Sequence, residues 1–272
     1  MFERRNASLH LTKRGELLLR HAEQFVHLAE LVDRDVTDPQ GAEGHLQLGV
    51  SETIAQCWLP ELIKKLSHIY PNLAVEINVD IFTVLREALL NQEIDLAILL
   101  GPILEFSVDN IKLPAFELAW YIGSVHGDPN GTFPKLPVAT FARNTRPYRE
   151  IKSSLFKRVG ADVRIFSSSS LSACFRLVET GVCVGALPRA LARSYLQKGT
   201  IKAFDPGWAP NPLRYTASYR ADPKSHMTEA TALYALSVSQ KYSNKKINGI
   251  VNKYSILFYV FLKASVCVRK IH

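Results

Sequence analysis

The sequence predicts an α/β chain of two similar lobes preceded by one long helix. From residue 45, short apolar strands alternate with amphipathic helices in the order β-α-β-α-β, and the same order restarts near residue 138. Ahead of both, residues 12–35 hold a helical stretch that no Gly or Pro breaks after its first turn.

Residues 1–11 read as an extended, hairpin-like piece, with Arg4 and Arg5 beside Asn6 and Leu9-His10-Leu11 alternating. Thr12 is a good helix N-cap, because its hydroxyl can accept a free amide of the first turn. Glu16 then sits near the positive end of the helix dipole. Leu18, Ala22, Phe25, Ala29 and Val32 recur at spacings of four and three, the a/d seam of a two-stranded coiled coil. These five are the expected dimerisation contacts; the alternative is an amphipathic helix lying on its own domain. Pro39, Gly41 and Gly44 end the helix and read as a hinge.

In the first lobe, strands are expected at 45–50, 73–79 and 96–100, with helices at 54–69 and 84–91 between them. An extended segment over 111–122 is a candidate crossing between lobes. After the turn at Gly127-Asp128-Pro129-Asn130-Gly131, strands are expected at 138–141, 163–166 and 183–187. Helices follow them at 148–158, 171–179 and 189–197. Residues 213–219 return the chain, and a helix over 226–240 closes it. The expected organisation is therefore 1–11, then 12–44 as linker helix and hinge, a first lobe from 45–122 with 220–240, a second lobe at 123–219, and a tail at 241–272.

Net charge is +8, yet the tail alone holds Lys241, Lys245, Lys246, Lys253, Lys263, Arg269 and Lys270 without one acid, which leaves about +1 for the first 240 residues. The overall charge therefore says nothing about how the body of the chain meets nucleic acid. The tail is out of character with the rest, as a frameshift or read-through would leave. Its apolar run at 256–262 is far shorter than the ~20 residues that cross a bilayer, so no membrane partner is expected. Met1-Phe2-Glu3-Arg4-Arg5 leads into a polar stretch with no secretory signal, which points to the cytoplasm. Cys57, Cys174, Cys183 and Cys267 form no CxxC pair and read as free thiols in a reducing compartment. No P-loop, GxGxxG, HExxH or GxSxG occurs, so no catalytic residue, metal or cofactor is expected.

Several ordered stretches resemble the LysR-type transcriptional regulators. FERRNASLHLTKRG (2–15) resembles the wing of their winged helix-turn-helix and the start of their linker helix, matched at Phe2, Arg4, Leu11, Thr12 and Gly15. LQLGVSETIAQCWLPELIKKLSHIYPNLAVEI (46–77) resembles the first strand, helix and second strand of their sensor domain. EIDLAILLG (93–101) resembles its third strand, and LVETGVCVGALPRALA (177–192) the hallmark of its second lobe. The resemblance spans about residues 1–240. It implies a two-lobed, periplasmic-binding-protein-like (type 2) effector domain, a linker helix and the remnant of a winged helix-turn-helix. The family carries about 60 residues of DNA-reading head ahead of the position of Phe2; with only the wing, where Arg4 and Arg5 would meet phosphates or the minor groove, DNA binding is expected to be weak and non-specific. The resemblance also implies a small-molecule effector and assembly as a homodimer or homotetramer.

Ligands of open α/β sheets bind at strand carboxyl ends beside helix N-termini. Ser51 and Thr53 stand at such a turn, which the family commonly uses, although either hydroxyl could simply cap the helix. Thr83 is the analogous choice at the second helix, and Leu100 and Gly101 are expected to form cleft wall. In the second lobe Arg143 or Arg146 could clamp a carboxylate with two parallel hydrogen bonds, unless they lie in a solvated loop. Of the serines at the next turn one is expected to cap a helix and another to face the cleft, with Ser168 and Ser169 the candidates. Helix ends and arginines together suggest a small organic acid as effector. The competing readings are a solute-binding protein of a transport system and a two-lobed α/β enzyme.

Overall fold

The computed structural model describes residues 1–5, 8–32, 44–222 and 225–244. Strands β1 (Phe2–Arg5) and β2 (Ser8–Leu11) pair antiparallel, with Phe2 opposite Leu11. Helix α1 (Lys13–Val32) follows, and the Thr12 hydroxyl accepts the Gly15 amide at 3.1 Å, the cap its position implied. Leu18 and Phe25 are 50% and 73% exposed, and Ala22 and Ala29 are exposed beside them. Leu17, Leu19, Val26 and Leu28 are exposed as well, so the apolar face is broader than the two-position seam. Of Val32 only the backbone is described, and of the expected hinge only Gly44 lies among the described residues.

The first sheet is built from β3 (His45–Val50), β4 (Ala74–Val79), β5 (Leu96–Leu100), β6 (Val108–Lys112) and β12 (Tyr215–Arg220), in the order β4-β3-β5-β12-β6. β3 runs parallel to β4 and β5, whereas β12 lies antiparallel between β5 and β6. β5 is apolar throughout because both its faces are covered: Leu96 and Ile98 join the main core, while Ala97 and Leu99 join a second cluster with Leu85 and Leu89. The expected helix over 54–69 is two helices, α2 (Glu52–Cys57) and α3 (Leu59–Ile69), broken at the buried Trp58. Pro60 explains the restart, since a proline is tolerated only in the first turn of a helix. Leu59, Leu62 and Leu66 then bury one stripe of α3. Helix α4 (Phe82–Leu90) crosses between β4 and β5.

The second sheet repeats the plan. It contains β7 (Leu118–Gly123), β8 (Val138–Thr140), β9 (Ile165–Ser167), β10 (Val184–Pro188) and β11 (Ile201–Phe204), in the order β11-β7-β10-β8-β9. A four-residue turn of helix, α5 (Pro129–Thr132), precedes β8, and α6 (Arg146–Arg158), α7 (Leu171–Glu179) and α8 (Arg193–Gln197) connect the later strands. β11 has no counterpart among the strands expected from sequence. The change of lobe also falls earlier than expected on both passes. Residues 118–123 hydrogen-bond β10 and β11 in the second sheet, and 215–220 hydrogen-bond β5 and β6 in the first. The segment 111–122 is thus two strands in different sheets, and the crossings lie at 113–117 and 205–214.

These crossings meet. Phe116 and Leu213 form an isolated antiparallel bridge, each amide donating to the other's carbonyl at 2.9 and 2.8 Å. Leu113, Phe116, Leu213 and Tyr215 belong to one core that continues through both lobes. The final helix, α9, covers 226–244, four residues beyond the expected end. Tyr242 packs there against the main core, so the expected tail begins no earlier than 245, outside the described residues, and Cys267 lies outside them too. Among the described residues no helix is long and apolar enough to cross a membrane.

Candidate functional site

The carboxyl ends of β3, β4 and β5 in one lobe face those of β8 and β9 in the other across a cavity of about 390 Å³. Each strand end delivers the next turn to the wall: Ser51–Thr53 after β3, Val79–Phe82 at the end of β4, Leu100 at the end of β5, Phe141, Ala142 and Thr145 after β8, and Ser168–Leu171 after β9. Tyr215, the first residue of β12, completes the lining. This is the ligand position that open α/β sheets favour.

Ser51 occupies the N-cap position of α2 but makes no capping bond with its side chain, so its hydroxyl is not spent on the helix. Thr53, 1% exposed, is hydrogen-bonded by its side chain to the Tyr215 phenol. Burial pushes that phenol well above its usual range, with the Thr53 bond acting in the opposite direction. Tyr215 therefore stays protonated. In the second lobe Ser170 is the serine that caps: its hydroxyl accepts the Ala173 amide at 3.3 Å. Ser168 Oγ accepts the Ser170 amide at 3.0 Å, and both Ser168 and Ser169 line the cavity.

Glu52 dominates the electrostatics. Its carboxylate, carried by the first turn of α2, reaches across the cleft to the start of α7 and accepts the backbone amides of Leu171 and Ser172, the latter at 3.1 Å. The Ser172 hydroxyl donates to it at 2.9 Å, and Gln56 Nε2 donates to Glu52 at 2.8 Å and to Ser172 Oγ at 2.7 Å. With the Ala173 amide on Ser170, the free donors at the positive end of α7 are taken by the chain's own side chains. A second acid, Asp80, lines the cavity from the turn after β4, where it accepts the Ile81 amide at 2.7 Å.

Several expected site residues lie elsewhere. Thr83 is outside the lining; its hydroxyl accepts Asn144 Nδ2 at 3.3 Å, a second contact between lobes. Gly101 is packed under β12, where an added Cβ would lie 1.9 Å from Thr216 Oγ1, so it serves close packing while Leu100 forms the wall. Arg146 is 71% exposed and holds Glu150 at 2.6 Å within its own helix, and the exposed Arg143 is not in the lining either. Neither arginine therefore borders this cavity, and Arg146 spends its guanidinium on Glu150. Sequence reasoning missed Glu52, Asp80 and Tyr215. Asp80 carried a usable signal, because it follows β4 as Ser51 follows β3. Tyr215 carried none, since its place depends on the non-local pairing of β12 with β5.

Comparison with known proteins decides the family. The model described as "LysR substrate binding domain" matches residues 39–235. The chain belongs to the LysR-type transcriptional regulators. It is 23% identical to the HTH-type transcriptional regulator GltR of Bacillus subtilis (strain 168) over 206 residues, 75% of this chain and 69% of GltR. It shares the fold of a full-length OxyR variant from Pseudomonas aeruginosa, with a TM-score of 0.64, 20% identity, and coverage of 88% of this chain and 81% of OxyR. The effector binding domain of QuiR in complex with shikimate superposes with a TM-score of 0.61 and 18% identity, over 74% of this chain and 99% of that domain. Within this LysR-type regulator the two five-stranded sheets are the effector-binding domain, and α1 precedes it.

Proposed function

We propose that this LysR-type regulator senses a small polar molecule in the cavity between its lobes, and that it acts by binding rather than catalysis. The observation that supports this most is the convergence of five strand ends, three from one lobe and two from the other, on one cavity of about 390 Å³. Ser51, Thr53, Ser168 and Ser169 border it with Leu100 as apolar wall. A ligand touching both walls favours one arrangement of the lobes about the Phe116–Leu213 bridge; a hundredfold preference shifts that equilibrium by about 2.8 kcal/mol. Two copies paired through α1, the linker helix, transmit the shift to DNA in the cytoplasm.

The β1–β2 hairpin places Arg4 and Arg5 ahead of that helix. Such residues contribute phosphate or groove contacts, so a polypeptide of these 272 residues is expected to bind DNA weakly, without sequence preference, and to release it as salt rises. The cavity is tested by thermal melting against small metabolites of all charge classes, with wild type beside Ala142→Trp, which fills the cavity. Compounds that raise the wild-type melting temperature through the cleft lose their effect in the variant; unchanged responses would place binding elsewhere.

A further inference from the structure

The distribution of charge in the cleft narrows the ligand class, an inference that rests on the cleft being the ligand site. A carboxylate ligand would be drawn to helix amides or to a basic side chain. At α7 the amides of Leu171 and Ser172 already hold the Glu52 carboxylate, which therefore stands where a ligand's carboxylate would stand. Among the described residues that line the cavity there is no Lys, Arg or His, and two are acids, Glu52 and Asp80. Arg146 is engaged with Glu150 outside it. An anionic ligand would thus enter beside two carboxylates with no cation among the lining residues to balance them, in a space partly screened from water.

We propose that Glu52 fills the anion position of this cleft from within, and that the effector is a small molecule bearing a protonated amine or guanidinium group. The Asp80 carboxylate attracts the cation. Its Oδ1 is held by the Ile81 amide, which fixes the side chain without neutralising it. The Ser51, Ser168 and Ser169 hydroxyls bind the ligand's polar atoms. Val79, Ile81, Phe82 and Phe141 cover its carbon skeleton. The internal carboxylate also holds the lobes together before any ligand arrives, so the effector adds to an existing bridge between α2 and α7.

The test is melting and titration calorimetry at fixed ionic strength, with 1,4-diaminobutane, agmatine and argininamide set against succinate, propionate and benzoate. Wild type is expected to respond saturably to at least one of the cations and to none of the acids, and Asp80→Asn is expected to weaken that response tenfold or more. Glu52→Ala should gain a saturable response to propionate, which refills the vacated position; Glu52→Gln, which keeps the side chain's size, should lose cation affinity without gaining propionate binding. Saturable binding of an acid to wild type that Ala142→Trp abolishes would overturn the charge class while upholding the cleft as the ligand site. Failure of every cation on wild type would overturn the proposal, as would failure of propionate on Glu52→Ala. A cation response that survives Ala142→Trp would count against both readings.

Discussion

The ring of Phe116, in the first crossing between lobes, lies 6.2 Å from the ring of Tyr242, in the last turn of the final helix. Phe116 also meets Tyr215 edge-on at 5.6 Å, and its backbone pairs with Leu213. The crossing between lobes is therefore braced by the chain's last described helix, and Tyr242 is also hydrogen-bonded through its side chain to Cys57 of α2.

Truncation separates the contribution of this helix from that of residues 245–272. Ending the chain after Gln240 removes Tyr242 and should cost about 2 kcal/mol, the order expected for a large, partly buried side chain. The chain ended after Asn244, which keeps Tyr242, is the reference for that loss. Urea denaturation of the two truncations checks this; equal midpoints would show that Tyr242 contributes nothing to the packing at the crossing.

The exposed face of α1 is expected to set the oligomer. Leu18→Glu with Phe25→Glu places two charges in the expected seam and should shift sedimentation toward smaller species at micromolar concentration. The melting temperature of the two-sheet domain should stay within a few degrees, because neither side chain is buried in the lobes. An unchanged sedimentation coefficient would remove α1 from the dimer contact.

The buried thiols give the fold an alkaline limit. Burial raises Cys174 from 9.0 to about 11 and Cys183 from 9.0 to about 12. In the unfolded chain both ionise near 9, so the native state binds more protons than the unfolded state above that pH. The stability this represents is fully present below pH 9 and is lost as pH rises toward 11 and 12. The urea midpoint should fall over that window, and less steeply in Cys174→Ala with Cys183→Ala. At pH 7 iodoacetamide should leave both residues unmodified until the protein unfolds, because a buried thiol is a poor nucleophile.

Strand and helix order was legible because β5 and β10 are short apolar runs and β3 begins with alternating polar and apolar residues, while α3 and α7 carry clear amphipathic spacing. The sheet assignment of 118–123 and 215–220 was not legible. A strand's sequence records that its faces are buried, not which lobe buries them, and both segments are buried along nearly their whole length. At the site, the turns were readable from strand ends, and Ser51, Ser168 and Ser169 stand on the cavity wall. The partners of the charges were not readable. Arg146 and Glu150 satisfy each other locally at i,i+4, whereas Glu52 finds Leu171 and Ser172 more than a hundred residues away.

Amide hydrogen exchange decides whether both lobes hold the ligand at once. Wild type is compared with and without a saturating amount of a compound whose response Ala142→Trp abolishes. The expected result is simultaneous protection of the turns at Ser51–Thr53 and Ser168–Leu171, which belong to different lobes. Protection confined to one of these turns, or found only outside the cleft, would contradict a ligand shared between the lobes.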